Sequence, residues 1–229
     1  RADGLPDPEV GPRRADGEDL NIIGKRLPLL DARAKAAGQT VYTDDIQLPG
    51  MLTCKILRSP WAYARIDRID TSRAAALPGV HAVMVGTDAP ITFGVLPISQ
   101  DENALAVEKI RHIGEGIAAV AADDEATALQ ALELIDIEVT ELKPFLRRKD
   151  SVRDLQEGEE KIHEHIRFDN NIHKRVKQEF GNPAEAFAAA DFVAEGTFQF
   201  KGVTHAFTEP IAAIAHWTPQ ERLVVWTSQ

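Results

Sequence analysis

The feature that most constrains the fold is a strand–helix–strand pattern between Gly116 and Leu142. Residues 117–122 form an uninterrupted apolar run, which predicts a buried strand. Asp123 or Asp124 can cap a following helix, and Glu125 complements the positive end of that helix. This order of elements indicates an α/β chain.

The helix of this unit carries an apolar stripe that is predicted to face the core, made of Ala128, Leu129, Leu132 and Ile135. Apolar and polar residues then alternate over 135–139, which predicts a second strand. The pattern leaves open whether the two strands lie parallel.

A further strand is predicted at 51–58, where apolar and polar residues alternate. The alternation places Leu52, Cys54 and Ile56 on a buried face, so Cys54 is expected to be an inert, buried thiol. Because Cys54 is the single cysteine, the chain has neither an internal disulfide nor a CxxC pair for zinc or an iron–sulfur cluster. The remaining predicted elements are a helix over 71–77, a strand over 80–85, a helix over 184–190, a strand over 192–200, and two strands over 211–217 and 222–226 joined by a turn.

Composition excludes some classes of function. The formal net charge is -10, which argues against nucleic acid as a partner because phosphate binding needs a basic patch. No apolar run is long enough to cross a bilayer and no signal peptide is recognisable, so a cytoplasmic protein is expected. Residues 1–20 are polar and proline-containing, which predicts a tail or an arm that wraps a partner.

Three patterns could carry chemistry, and each has a plainer interpretation. The GxGxxA outline at Gly114–Ala119 precedes a strand rather than a helix, so a tight turn is favoured over a dinucleotide site. His163, His165 and His173 lie in a charged stretch, where solvated histidines are favoured over a metal site. His205 and Glu209 stand four residues apart as an acid/base pair or, as we favour, a structural contact.

Several segments resemble the large subunits of molybdenum hydroxylases, the xanthine dehydrogenase and aldehyde oxidase family. These segments are KAAGQTVYTDD at 35–45, LRSPWAYARI at 57–66, LPGV at 77–80, GEGIAAV at 114–120, FGNPAEAFAAAD at 180–191, FTEP at 207–210 and LVVWTSQ at 223–229. Segment 93–98 resembles the 4-hydroxybenzoyl-CoA reductase branch, which runs the chemistry reductively.

The resemblance implies an α/β (α+β) fold in which an α/β-hammerhead domain precedes the start of a molybdopterin-binding domain. The expected divisions are an N-terminal extension over 1–27, the hammerhead over 28–145, a charged linker over 146–178 and the beginning of the molybdopterin-binding domain over 179–229. The family's glycine-rich pterin loop and catalytic glutamate have no counterpart in the sequence, so no complete catalytic site is expected within this chain.

The resemblance also implies a molybdenum–pterin cofactor in the cytosine dinucleotide form, bound mostly by residues outside this chain. Partner subunits are expected to supply [2Fe–2S] clusters and FAD, and the substrate is expected to be an aromatic, heterocyclic or aldehyde compound. Gln229 aligns with the family glutamine whose amide donates a hydrogen bond to an oxygen on molybdenum. The alternative is a non-catalytic scaffold or assembly domain of such a complex.

Overall fold

The computed structural model describes residues 22, 23, 25–94, 100–164 and 168–228. The tail at 1–20, most of the 93–98 branch segment, His165 and Gln229 therefore lie outside the described residues. The chain divides into a larger unit, Pro49–Phe198, and a smaller unit made of Arg1–Leu48 and Gln199–Gln229.

The described helices are α1 (Ala32–Ala36), α2 (Ser72–Ala75), α3 (Glu125–Leu132), α4 (Arg148–Val152) and α5 (Pro183–Ala189). The described strands are β1 (Thr53–Arg58), β2 (Ala64–Asp70), β3 (Val80–Val85), β4 (Thr92–Phe93), β5 (Glu102–Asn103), β6 (Lys109–Ile110), β7 (Gly116–Ala122), β8 (Asp136–Glu141), β9 (Ala213–Trp217) and β10 (Leu223–Thr227). None of the described helices is both long and apolar enough to span a membrane.

Strand β7 is the centre of an antiparallel sheet with the order β1-β7-β3. Its predicted buried character is confirmed, because Ala118 and Val120 are fully buried. Helix α3 packs on this sheet, and the small residues allow the helix to approach closely. The resulting core cluster consists of Ala74, Ala118, Val120, Ala131 and Ile135.

A second antiparallel sheet has the order β6-β2-β8. Strands β7 and β8, which the sequence placed on either side of one helix, therefore belong to different sheets. The question of whether they pair in parallel is settled: α3 connects two sheets rather than two neighbouring strands. The core of the second sheet also includes Ile117 of β7, together with Ala64, Ala106 and Ile110.

Helix α3 begins as the sequence predicts. The Asp124 side chain accepts a hydrogen bond from the Thr127 backbone N–H at 2.7 Å, which satisfies a free donor at the helix start. The predicted stripe is wrong at one position, because Leu129 is 47% exposed while Ala131 is buried. The alanine lies against β7 because only a small side chain fits where the helix and strand are closest.

Strand β1 forms as predicted, but the face predicted to be buried is the exposed one. Leu57 packs against the first core cluster, and the Lys55 ammonium reaches Glu125 of α3 at 2.5 Å. Odd-numbered residues therefore face the helix, and Cys54 with Ile56 is on the exposed face. Partial desolvation still raises the pKa of the Cys54 thiol, which favours its unreactive protonated form.

The charged stretch predicted as a linker makes defined contacts up to residue 173. Arg153 donates two hydrogen bonds of 2.7 Å to the Glu159 carboxylate, and Lys143 lies 2.8 Å from the same group. Arg153, and then Lys143, hold the pKa of Glu159 well below its usual range. The Glu159 side chain is only 2% exposed, so this carboxylate is enclosed by its cationic partners.

A second set of contacts fixes the same stretch to the β6-β2-β8 sheet. The Lys109 ammonium, only 10% exposed, lies 2.9 Å from Glu160 and 2.5 Å from Glu164. The Tyr63 hydroxyl donates a 2.6 Å hydrogen bond to the Lys161 carbonyl. Residues 160–164 are thus packed against the β6-β2-β8 sheet within the larger unit. The division at 145/146 and 178/179 stays a prediction.

The strand predicted over 192–200 is absent from the described residues, since no helix or strand occurs between Ala190 and Ala212. The alternating aromatic pattern is present, but Phe192, Phe198 and Phe200 are each more than 80% exposed. A strand requires a neighbour that pairs with its backbone, and the described chain supplies none here. Helix α5 does form, with Asn182 accepting from the Glu185 N–H at 3.3 Å.

In the smaller unit, β9 and β10 form the predicted antiparallel hairpin, with Ala215 opposite Val225. The turn is closed by the Thr218 N–H, which donates to the Arg222 carbonyl at 2.8 Å. The 3₁₀ turn Thr43–Asp45 contacts β9. The hairpin and its turn are therefore confirmed.

We expect Gly86→Ala to destabilise the larger unit by about 2–3 kcal/mol, a typical cost of overpacking. A Cβ at this position would stand 2.2 Å from the Ala106 carbonyl oxygen, and backbone cannot easily move away. The free energy of unfolding in urea measures the effect. Gly202→Ala is the control, because nothing lies within 4 Å of its Cβ position. Equal stability of the two variants would contradict the close approach.

We expect Glu159→Gln to weaken the dependence of stability on acid pH. The folded pKa of Glu159 is depressed below the ordinary value of 4.5, so its contribution is present above that value and is lost as the pH falls below it. Urea unfolding between neutral pH and acid pH should therefore show a shallower loss in the variant than in the parent. Glu157→Gln, which removes a nearby exposed carboxylate, should keep the parental slope.

Candidate functional site

The open end of the β9–β10 hairpin is held by hydrogen bonds between two residues. The Ser228 N–H donates to the Ala212 carbonyl at 3.2 Å, and the Ala212 N–H donates to Ser228 Oγ at 3.1 Å. The chain passes directly from Ser228 to Gln229, the predicted site residue, which lies outside the described residues. Ser228 is therefore held at the end of the hairpin by its hydrogen bonds to Ala212.

A cavity of about 430 Å³ opens beside this end of the hairpin. It is lined by His205, Phe207, Glu209, Ile211 and Ser228. The first four are alternate residues, but the segment is not a strand, and Ala206 between His205 and Phe207 has a left-handed backbone conformation. The sequence indicates a pairing of His205 with Glu209 and does not predict the other lining residues.

The aromatic wall of the cavity has a defined geometry. The His205 and Phe207 rings are stacked, with centroids 5.5 Å apart and planes inclined by 7°. Between them, Ala206 has a φ of 51°, a left-handed conformation that is uncommon for a residue with a side chain. This local backbone geometry brings the two rings face to face.

Among the residues that line the cavity, the charged one is Glu209. Lys35 lies 2.6 Å from Asp31, and this ion pair, followed by weaker attraction to Tyr42 and Glu209, raises the pKa of Lys35. The Lys35 ammonium therefore pairs with Asp31, and Glu209 adds the last-named of these attractions. With Arg33 of the same helix, the two cations of this region balance the carboxylates of Asp31 and Glu209.

The larger unit has a separate cavity of about 540 Å³ with a mixed charged lining that includes Arg58, Asp101, Glu115 and His163. His163 Nδ1 lies 2.6 Å from the Asp101 carboxylate, and the imidazole is only 27% exposed. The prediction of a solvated His163 is therefore wrong, because packing of the 159–164 segment encloses it. Within the described ranges, no cluster of three or more His, Cys, Asp or Glu side chains is arranged to hold a metal ion.

The turn interpretation of the GxGxxA outline is confirmed. Gly114 has a φ of 87° and immediately precedes β7, which begins at Gly116. The Gly114 N–H donates to the Ser59 carbonyl at 2.8 Å, so the glycine serves a turn between strands.

Two family profiles match the chain. Residues 37–143 match the domain described as "Aldehyde oxidase and xanthine dehydrogenase, a/b hammerhead domain". Residues 162–229 match the domain described as "Molybdopterin cofactor-binding domain". The order of the two domains and the α/β fold class are those that the sequence predicts.

Individual proteins agree with these matches. The chain is 34% identical over 214 residues to the nicotinate dehydrogenase large molybdopterin subunit of Eubacterium barkeri, covering 93% of this chain and 48% of that protein. It is 32% identical over 209 residues to the xanthine dehydrogenase molybdenum-binding subunit of Escherichia coli O157:H7, covering 87% of this chain and 27% of that protein.

Among solved structures, quinoline 2-oxidoreductase from Pseudomonas putida 86 superposes with a TM-score of 0.74 at 30% sequence identity. The match covers 87% of this chain and 26% of that chain. The chain thus spans half or less of the length of the relatives it matches.

Proposed function

We propose that this chain, which belongs to the aldehyde oxidase and xanthine dehydrogenase family of molybdenum hydroxylases, is part of a larger enzyme. It forms the N-terminal portion of the molybdenum-binding large subunit of a multi-subunit oxidoreductase. The observation that carries the proposal is the hairpin end: the family's cofactor-binding domain matches this region, and the aligned glutamine follows Ser228 directly. The remainder of the large subunit is proposed to come from sequence outside these 229 residues.

The side chains at the hairpin end are suited to hydrogen-bonding a molybdenum–pterin group, not to ligating its metal. Ser228 offers a hydroxyl and Gln229 offers a carboxamide, which are neutral hydrogen-bonding groups rather than the thiolate or imidazole sets that ligate metals directly. Such groups orient the oxygen atoms of a bound cofactor without adding charge. We therefore assign this end of the hairpin to holding the cofactor, with the greater part of its binding site lying elsewhere.

When bound, the cofactor supplies two-electron redox chemistry at an electrophilic carbon of the substrate. The part that this chain plays is positional. The Gln229 amide is proposed to donate a hydrogen bond toward the cofactor from a strand end that Ala212 and Ser228 hold in place. A donor fixed in advance stabilises developing negative charge without reorganising during the reaction.

Further parts of the assignment rest on the family resemblance. We propose the cytosine dinucleotide form of the cofactor, partner subunits carrying [2Fe–2S] clusters and FAD, and a cytoplasmic location. The substrate class is an aromatic, heterocyclic or aldehyde compound. The resemblance of 93–98 to the 4-hydroxybenzoyl-CoA reductase branch makes a reductive direction a second hypothesis, which the substrate of the purified complex would decide.

Metal and pterin analysis of the native complex purified through this chain tests the function directly. The proposal requires molybdenum and a pterin in amounts near one per copy of the chain, together with iron from the partner subunit. A stable complex free of molybdenum and pterin would instead support the alternative, a non-catalytic scaffold or assembly domain.

Expressed alone, residues 1–229 should hold no molybdenum and show no dehydrogenase activity with an artificial electron acceptor. The physical reason is that the residues at the hairpin end offer neutral hydrogen-bonding groups and no metal ligands. Metal analysis of the isolated chain checks this expectation, with the assembled complex as the positive control. Stoichiometric molybdenum in the isolated chain would contradict it.

In the assembled complex, Gln229→Ala should lower turnover on the order of 10²- to 10³-fold, the usual cost of removing one preorganised donor. Gln229→Glu should lower it further, because an anion replaces the donor. Molybdenum and iron contents, measured in parallel, should stay close to those of the parent. Gln220→Ala is the matched control: it removes the same kind of side chain from the exposed turn at the other end of the hairpin and should keep the parental turnover. Near-normal turnover of Gln229→Ala at full molybdenum occupancy would remove Gln229 from the site.

A further inference from the structure

Residues 160–164, here called the strap, belong to no helix or strand and lie against β6 and the start of β2. Within the described ranges, no backbone–backbone hydrogen bond joins the strap to either three-stranded sheet. Its attachment to the larger unit is therefore made by side chains. Contacts of this kind can be broken and remade without unpairing a strand.

Lys109 is the central tie of the strap. Its ammonium is 10% exposed and lies 2.9 Å from Glu160 and 2.5 Å from Glu164, the first and last strap residues. Burial opposes the charge of Lys109, but hydrogen bonds to Glu164 and Glu160 raise its pKa. Arg65 adds a second ion pair to Glu160, so the two cations and two carboxylates of this cluster balance.

The residues between these two ends are also attached by side chains. Each of the three has one contact with the larger unit: Tyr63 donates to the Lys161 carbonyl at 2.6 Å, Arg111 donates to the Ile162 carbonyl at 3.1 Å, and Asp101 lies 2.6 Å from the His163 imidazole. Every strap residue is thus tied down, and Lys109 is the residue that reaches both ends.

The strap forms part of the wall of the cavity of about 540 Å³ in the larger unit. Ile162 and His163 line the cavity from the strap, whereas Arg58, Glu115 and Gly116 line it from β1 and the start of β7. Movement of the strap away from the sheets would therefore widen access to this cavity.

A buried donor behind the strap gives such movement a consequence. Asn171 lines the same cavity, and its Oδ1 accepts a hydrogen bond from the Ile162 N–H at 2.8 Å. That bond fixes the amide so that Nδ2 remains as a buried donor, and Nδ2 has no partner among the described residues. A buried donor needs an oxygen acceptor to offset its loss of hydration. The strap controls how water or a ligand brings that oxygen to it.

We propose that the strap is a gate over this cavity and that Lys109 holds the gate closed. Side chains alone attach the strap, one lysine contacts both of its ends, and a buried donor lies behind it. The two sheets are paired without the strap, so the gate opens while the larger unit stays folded. This inference concerns the larger unit and does not rest on the proposed function.

The test is Lys109→Met, which keeps a long unbranched side chain but removes the ammonium. Hydrogen–deuterium exchange with mass spectrometry on the native complex follows the strap through the Ile162 amide, which donates to Asn171. Exchange of the strap peptide should become faster by about tenfold or more, the scale of one lost hydrogen bond to a charged group. Peptides from β7 should keep the parental rate, because the sheet stays paired.

Lys55→Met is the matched control. It removes another strand lysine, whose partner Glu125 lies on α3, away from the strap, and it should leave exchange of the strap at the parental rate. Accessibility of His163 gives a second measurement. Its modification by diethyl pyrocarbonate should speed up in Lys109→Met, whereas modification of His81, which pairs with Asp123 elsewhere, should not change.

Strap exchange at the parental rate in Lys109→Met would overturn the gate. Equal acceleration of the strap and β7 would also overturn it, because Lys109 would then stabilise the whole unit. If Lys109→Met does not fold, Tyr63→Phe decides, since it removes only the hydroxyl that bonds the Lys161 carbonyl. Faster exchange confined to the strap in that variant supports the gate, and an unchanged rate rules it out.

Discussion

The larger unit depends on the packing of one small-residue strand, β7. Ala118 and Val120 point into the core beneath α3, and Ile117 enters the core of the second sheet. One strand therefore contributes to both hydrophobic clusters, and this explains why two sheets of only three strands each can form a single compact unit. The burial of alanine adds little apolar area per residue, but it lets helix and strand approach closely enough for efficient van der Waals contact.

The same packing explains how far the sequence could predict the structure. Runs of apolar residues, the Asp124 cap and the glycine turns depend on local chemistry, so β7, α3 and the hairpin were predictable. The orientation of β1 was not, because it depends on which face α3 covers, and Lys55 reaches that face by placing its charge at Glu125. An alternating pattern gives two faces and does not say which of them a distant helix will bury.

The charge pattern over 146–178 predicts an exposed linker, and this prediction fails at residues 159–164 for a related reason. A run of like and unlike charges usually indicates a solvated segment, yet here Glu159 and Glu160 meet cations from elsewhere, namely Lys143, Lys109 and Arg65. Arg153 lies only six residues from Glu159, but Lys109 and Arg65, which pair with Glu160, are far away in sequence, so no local window contains that information. At the candidate site the assignment of Gln229 came from a family motif alone, and the lining of the neighbouring cavity depends on the left-handed backbone at Ala206, which no alternating pattern predicts.

The β9–β10 hairpin by itself does not hold a catalytic donor rigidly enough for the proposed chemistry. A two-stranded hairpin is marginally stable by itself in water, and the aromatic residues that precede it, such as Phe200 and Phe207, are exposed. The hydrogen bonds between Ala212 and Ser228 set the end of the hairpin locally, but a catalytic donor must be held to within a fraction of an ångström. Under the proposed function, that rigidity is gained when the remainder of the large subunit covers the aromatic segment and the hairpin. The same burial would then complete the fold and fix the Gln229 amide, so that assembly and activity are coupled through one set of contacts.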